Sequence, residues 1–428
     1  MMAAGAFAYI ASVTQRTTIG VAGVAATDRF HVSAAILSVL AVVQLAVYAG
    51  MQVPVGLLID RLGPRFLLIA GTTVMILGQL AVAVSEQISW AITGRILVGL
   101  GDAMIFTAAL RLINTWFPPR LIPQLTQWLG NFGQGGQILS AVPFALILQM
   151  SGWSRAFVSS AGLSVIALIV IIVCVRDRPH AMHSDRAAVS WHDTLRRLRI
   201  SLSQPGTQLG FWSHFVTQSS GTMFTLMWGV PFMVFALGYS QPVAAGLLIV
   251  CAVAAVISGP LLGTLTHRFP LRRSDLVVGI VVLLALVWGV VLFWPGAIPL
   301  WMLIVLLVVI GIGGPGSLIG LDFARTSNPS HSLGSANGIV NSAGFFASLI
   351  MIFLIGVVLD AQVSGRSPGE LYSLDSFRVA FSVQFLVIGV GVIFLVRARR
   401  RTRHKLRVDD GITVDPLWKV WNDRRKRP

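Results

Sequence analysis

Three ionisable side chains sit inside stretches otherwise fit for an oily environment. Arg16 follows Gln15 within an apolar block spanning 4–26, and Arg95 and Asp102 share the string Gly94-Arg95-Ile-Leu-Val-Gly99-Leu-Gly101-Asp102. An arginine or aspartate at the centre of a membrane helix costs about 2.5–3.5 kcal/mol on insertion scales, so each requires a partner or a wet cavity. Arg95 and Asp102 are two helical turns apart on one face. One reading links them, through water or a long side chain, as a static bridge. The other makes Asp102 a proton carrier, because a carboxylate that is neutral when dry and charged when wet couples protonation to which side is open. Arg16 has no acid in its own stretch. It either pairs across helices or faces a water-filled cavity awaiting an anion, for which its planar fork is suited.

Such chemistry presupposes a membrane. Of 428 residues, 55% are hydrophobic and 11% charged, against about 25% charged in a soluble domain. The apolar residues fall in blocks of roughly 20, the length that crosses a hydrocarbon core of about 30 Å. Twelve spans are expected at 4–26, 34–59, 66–85, 89–112, 124–149, 156–175, 209–237, 243–265, 276–295, 299–321, 335–359 and 378–396. The fold class is therefore an all-α membrane protein with twelve transmembrane helices in two six-helix bundles. The bundles cover 1–175 and 205–397, joined by a linker at 176–204 and followed by a basic tail at 398–428.

The two halves repeat. Val13-Thr14-Gln15 recurs as Val216-Thr217-Gln218, Gly56 to Arg61 is echoed by Gly263 to Arg268, and Arg111, Asn114 and Gly130 match Arg325, Asn328 and Gly344. Parallel repeats of this kind mark transporters that rock two bundles about a midplane site.

A net charge of +16 in a soluble chain would suggest nucleic acid. Placed on twelve spans with the N-terminus inside, the excess falls on the inner side and the outer loops are near neutral, as positive-inside orientation requires. The expected location is a bacterial inner membrane with both termini cytoplasmic and no nucleic-acid partner. Arginine supplies nearly all the basic residues, which points to a GC-rich gene. The partners expected are membrane lipid, a small-molecule substrate and protons, and the chain is expected to be monomeric. Cys174 and Cys251 both lie in apolar blocks, so neither a disulfide framework nor a metal site is expected, and no cofactor is implied. Tryptophans 90, 153, 212, 294 and 301 fall near span ends and read as interfacial anchors. Trp191, Leu195 and Leu198 among Arg196, Arg197 and Arg199 describe an amphipathic helix for the inner leaflet. The tail, with Trp418 and Trp421, either grips anionic lipid or stays solvated.

The sharpest local signal joins spans two and three: Gly56-Leu-Leu-Ile-Asp60-Arg61-Leu-Gly63-Pro64-Arg65. Gly56 permits close helix approach and Gly63-Pro64 forces a tight turn. Asp60 can meet a neighbouring helix end or arginine, a contact that holds one conformation shut and breaks in the other. The string resembles the signature loop of the major facilitator superfamily, and the arginine and glycine spacing of span four resembles that family's motif there. The resemblance implies the twelve-helix major facilitator fold and a conformational gate at Gly56, Asp60, Arg61, Gly63 and Arg65. The second-half echo ends in His267 instead of an acid, which implies a weaker latch there. Asp322 and Arg325, at the inner mouth of span ten, are expected to make a gate contact rather than a binding site.

Span one, with Tyr9 before Gln15-Arg16 and Gly20-Val-Ala after, also looks like the anion:cation symporter branch, as do Trp116-Phe-Pro-Pro-Arg120 and Gly152-Trp-Ser-Arg155-Ala-Phe157. That resemblance implies that Arg16 holds a substrate carboxylate and that Asp102, with Arg95, handles the coupled proton. Gln15 stands where that branch has an acid, which argues against a two-proton mechanism. Further polar rows share helix faces: Gln44, Tyr48 and Gln52; Gln127, Asn131 and Gln134; Asn337 and Asn341. Each lines the cavity or serves as interhelical glue. The expected substrate contacts are Arg16, Gln15, Gln44, Tyr48, Gln134, Gln218 and Asn341. His214 is either a titrating group or a residue that snorkels towards the inner end of span seven, and the second is the expectation.

The function expected is a secondary active transporter moving a small organic solute, an organic anion above all, by alternating access with proton coupling. Proton-driven efflux of an amphipathic compound is the alternative, although the span-five glycines do not match the antiporter motif. A non-transporting membrane enzyme or sensor would need clustered His, Asp or Glu at a membrane face, which the chain lacks, so no enzymatic activity is expected. No Gly-x-x-x-x-Gly-Lys-Ser/Thr phosphate loop exists to power an ATP-driven pump.

Overall fold

A computed structural model describes residues 1–30, 34–177, 191–362 and 373–414. Every regular element among them is helical. Lipid leaves a backbone no partner but its own helix, so long uninterrupted helices are what apolar blocks of this length must form. The first half comprises α1 (Met2–Val21), α2 (Gly23–Phe30), α3 (Ala34–Leu62), α4 (Pro64–Val84), α5 (Ile88–Trp116), α6 (Ile122–Leu139), α7 (Ala145–Ser151) and α8 (Trp153–Cys174). A short helix α9 (Trp191–Ser203) precedes the second half. There follow α10 (Pro205–Met223), α11 (Gly229–Pro231), α12 (Gln241–Leu247), α13 (Ile249–Arg268), α14 (Arg273–Phe293), α15 (Leu300–Ser327), α16 (Leu333–Ala361) and α17 (Leu374–Asp409). π-helical turns at Ser140–Phe144, Phe224–Trp228 and Phe232–Ala236 connect the pieces of broken helices beside Pro143 and Pro231.

Among the described residues, ten helical segments are long and apolar enough to cross a membrane. The segments around α1 and α6 fall outside that set, and they carry Gln15-Arg16-Thr17-Thr18 and the row Gln124, Gln127, Asn131, Gln134 and Gln137. They face each other, with the Thr14 hydroxyl donating to the Gly136 carbonyl at 3.1 Å and the Thr17 and Ser140 hydroxyls 2.6 Å apart. Helices that border a polar interior need fewer apolar residues than helices surrounded by lipid.

Buried apolar residues form one large core within 209–398 and separate cores within 4–175. Inside the first half, α4 and α5 approach backbone to backbone: a Cβ added at Gly71 would stand 2.8 Å from the Gly101 carbonyl oxygen. That contact turns Gly101 towards α4, and its chain neighbour Asp102 consequently faces α1. Trp153 is buried rather than interfacial, its indole donating to the Val82 carbonyl at 2.8 Å. Trp90 and Trp301 remain exposed. The side chain of Trp191, together with Trp418 and Trp421, lies outside the described residues.

The two halves meet along two seams, α3 against α16 and α6 against α13. The first seam is a ladder that steps about one turn at a time. Asp60 meets Ser335, Gly56 lies against Gly334 and Gly338, Gln52 meets Asn341, and Tyr48 packs edge-on to Phe345 with ring centres 4.7 Å apart. Along the second, the amide nitrogen of Asn131 donates to the Val256 carbonyl at 3.1 Å, and that of Gln127 donates to Pro315 on α15 at 2.9 Å. An apolar cluster including Phe106, Leu110, Ile122, Leu321, Ala336 and Val340 fills the space between the seams. These contacts seal the end of the molecule that carries the Gly63 turn and α9, called the linker end below.

Candidate functional site

On the far side of this seal lies a cavity of about 420 Å³ lined by both halves. Its floor is made by Arg16, Tyr48, His214 and Asn341. Its walls run towards the opposite end through Gln134, Gln137, Thr222, Thr225 and Leu248. Tyr9, Phe106 and Phe345 give it aromatic surface.

Arg16 is the charge presented to this space. Its Nε donates to Asp102 Oδ2 at 2.6 Å and its Nη2 to Oδ1 at 2.9 Å, the bidentate fork that a guanidinium and a carboxylate form best. The Ser12 hydroxyl donates a further hydrogen bond to Oδ1. Asp102 is fully buried and absent from the cavity lining, whereas the Arg16 side chain is 24% exposed. The guanidinium carbon also sits 4.8 Å from the centre of the Tyr48 ring, a cation–π contact that holds its outer face.

Arg95 is not the partner of Asp102. Seven residues along a helix correspond to about 10.5 Å of rise, too far for a direct bridge between these side chains, and the side chain that fills the gap is Arg16 of α1. The Arg95 guanidinium instead donates to the Gln15 carbonyl at 3.2 Å, to the Arg16 carbonyl at 2.8 Å and to the Gln44 side-chain oxygen. It thereby fixes the α1 backbone at the level from which Arg16 projects.

Gln15 and Gln44 stand outside the cavity lining. Gln15 is fully buried and donates to Ser164 Oγ at 2.6 Å and the Ser160 carbonyl at 3.3 Å on α8; Gln44 is buried against Arg95. Tyr48, Gln134, Gln218 and Asn341 do line it, together with Arg16. The Asn341 amide donates to Gln52 Oε1 at 2.7 Å and to the Tyr48 hydroxyl at 3.4 Å, so it joins the seam to the floor. His214 does not snorkel to the linker end. It is 1% exposed and part of the cavity floor, with Nδ1 accepting the Gly344 N–H at 3.2 Å. Sequence reasoning missed Ser12, Gln137, Thr222 and Thr225. The polar row of α6 reaches one turn further, to Gln137, and could have led there.

At the linker end, Asp60 caps a helix of the other half. Its oxygens accept from the Gly334 N–H at 2.9 Å, the Ser335 N–H at 2.8 Å and the Ser335 hydroxyl at 2.7 Å, at the N-terminal turn of α16. The positive end of the helix dipole stabilises a carboxylate there. Arg111 lies 4.0 Å from Asp60 and donates to the Ser330 carbonyl at 2.5 Å, adding a second tie between halves. Gly56 lets the seam close, since a Cβ there would reach 3.1 Å from Ser335 Cα. Gly63 takes φ of 85°, the left-handed region that suits glycine, and starts α4. Arg61 lies in the last turn of α3, and Arg65 anchors the turn to the first half through its N–H to Asp177 at 2.9 Å and its guanidinium to the Ile172 carbonyl at 3.0 Å.

Asp322 and Arg325 are arranged differently from expectation. Asp322 accepts from Arg325 Nε at 2.7 Å one turn along its own helix, and from Arg273 of α14. The network ties α14 to α15 within the second half instead of bridging the halves. The side of Asp322 and Arg325 that faces the first half borders a narrow crevice shared with Asn114 and Gln127. His267, the second-half counterpart of Asp60, is exposed.

The Major Facilitator Superfamily sequence model matches residues 5–352, with an overlapping match at 212–428. Methyl viologen resistance protein SmvA of Salmonella typhimurium is 24% identical over 79% of this chain and 78% of its own. The probable nitrate/nitrite transporter NarK2 of Mycobacterium tuberculosis is 27% identical over 81% of this chain and 86% of its own. Among solved structures, a bacterial homolog to the human lysosomal transporter Spinster, inward-facing and unoccupied, superposes with a TM-score of 0.63 at 16% identity, covering 93% of this chain and 96% of that one.

Proposed function

The chain belongs to the Major Facilitator Superfamily, a membrane transporter and not an enzyme, and on that premise we propose that it carries a small organic anion together with a proton. The observation that supports this reading is the order of the buried pair. Arg16 fronts the cavity, and Asp102 lies behind it with no exposure of its own. A solute entering the cavity meets a cation.

The coupling follows from charge balance. In the empty site, Arg16 and Asp102 neutralise each other. An anion bound beside the intact pair would leave one net negative charge, which is costly once the cavity closes and dries. Protonation of Asp102 removes that charge and releases the guanidinium fork to the anion. The empty state and the doubly loaded state are then both neutral and able to close, whereas a singly loaded state is not. Rocking of the two bundles about the seams carries the site from one side to the other. On this reading the basic linker and tail lie in the cytoplasm, the cavity opens outward, and the transporter works as a monomer in the inner membrane.

The test is transport in proteoliposomes. Asp102→Asn keeps a neutral amide where the proposal needs a neutral acid. It should abolish accumulation driven by a proton gradient yet preserve exchange of substrate, and unchanged accumulation would remove Asp102 from the mechanism.

Efflux of an amphipathic compound is the second reading, favoured by the aromatic surface of Tyr9, Tyr48, Phe106 and Phe345 and by the likeness to SmvA. Export in inverted vesicles that is insensitive to Arg16→Ala would support it.

A further inference from the structure

We infer that His214 is a second substrate contact, and that the anion carried is one bearing a further hydrogen-bond acceptor, such as a hydroxyl or a second carboxyl group that enters protonated, opposite its carboxylate. The inference rests on the anion reading above and narrows it.

The imidazole occupies a built slot. At Gly344 an added Cβ would come within 2.9 Å of His214 Cε1, and at Gly320 within 3.3 Å of His214 Cβ. Both neighbouring helices thus omit a side chain where the ring sits. Nδ1 accepts the Gly344 N–H, so the proton of the neutral ring is on Nε2. Among the described residues Nε2 has no acceptor, and the residue forms part of the cavity floor. One turn along α10, Gln218 also lines the cavity, and its Oε1 accepts from the Ser317 hydroxyl at 3.2 Å. That bond orients the Gln218 amide so that its N–H2 remains for a ligand. Two donors from the second half therefore confront Arg16 from the first.

A donor that borders the cavity without a protein acceptor is left to water while the site is empty, and a ligand that supplies an acceptor meets it once the cavity closes and dries. There is also a mechanical reason. A ligand can shift a conformational equilibrium only through contacts that differ between the two states. An anion held by Arg16 alone touches one half, whereas one that also accepts from His214 spans both and rewards their closing.

The experiment compares butyrate with 3-hydroxybutyrate, 4-hydroxybutyrate and succinate, measuring binding to the full-length protein in nanodiscs by calorimetry. At least one two-acceptor acid should bind about tenfold tighter than butyrate, the effect of one hydrogen bond to a polar partner in a dry site. His214→Leu should bring the affinities of the two-acceptor acids down to about that of butyrate, and His214→Gln, which retains an N–H, should restore part of the preference. Equal affinities for all four acids, or a His214→Leu protein that loses butyrate binding as much as the others, would overturn the inference while sparing the anion reading. If no acid binds, or if Arg16→Ala leaves acid binding intact, the anion reading itself fails and the inference with it.

Discussion

Arg16 closes on Asp102 with two parallel hydrogen bonds, 2.6 and 2.9 Å long, and by doing so stands between the carboxylate and the cavity. A single side chain is at once the counter-ion of the buried acid and the group offered to solute. The two roles exclude each other, and under the proposed mechanism that exclusion would let proton and anion binding depend on one another.

Breaking this pair from one side should be worse than removing it. Arg16→Ala strands a buried carboxylate and should destabilise the protein by about 3–5 kcal/mol. Adding Asp102→Asn should recover most of that loss, because a neutral amide has far less need of a counter-charge. Thermal unfolding of the two variants in nanodiscs measures the difference. Equal melting temperatures would mean that the ion pair is not what holds α1 to α5.

Arg95 is expected to act on position instead of charge transfer. It clasps the carbonyls of Gln15 and Arg16 and the Gln44 amide. Arg95→Lys retains the charge but not the fork, so KM for the transported anion should rise severalfold while uptake remains driven by a proton gradient. Loss of the gradient dependence itself would return Arg95 to the proton path.

Asp60 and the α16 N-terminus should bias which end is closed. Asp60→Asn keeps an acceptor but removes the charge that the helix dipole favours, worth about 0.3–2 kcal/mol. Cys251 lines the cavity and Cys174 is exposed elsewhere, so in a Cys174→Ser background Cys251 reports access from the open end. The Asp60→Asn variant should label more slowly there with a membrane-impermeant maleimide, by up to roughly tenfold. Faster labelling would contradict a latch that holds the linker end shut.

The contact of α4 with α5 should tolerate no side chain. Gly71→Ala puts a Cβ 2.8 Å from the Gly101 carbonyl oxygen and 2.9 Å from Met104 Cβ. Forcing those helices apart should cost about 1–3 kcal/mol and tilt the face that bears Asp102. Denaturant titration against the unaltered protein checks it, and an unchanged midpoint would show that the helices separate freely.

Much of the architecture was legible in the residues. Blocks of about 20 apolar residues must be helices in lipid, and the Gly56–Arg65 string identified the turn and the acid that ends at α16. Arg16 and Asp102 were conspicuous because an ionised group in such a block demands a partner. What the chain order could not reveal was which partner. Helical periodicity reports that residues share a face, not which of several neighbouring helices that face meets. Arg95 and Asp102 share a face of α5, yet each reaches α1 separately. Gln15 looked fit for a cavity, yet its amide nitrogen donates in dry contact to Ser160 and Ser164, since an N–H2 finds a hydroxyl or carbonyl partner as readily as a solute. His214 read as a residue near a helix end until Gly320 and Gly344, far along the chain, were found to make room for it. The residues by themselves determined the helices and the charges that had to be neutralised; only the packing of the helices decided which charge faces the water.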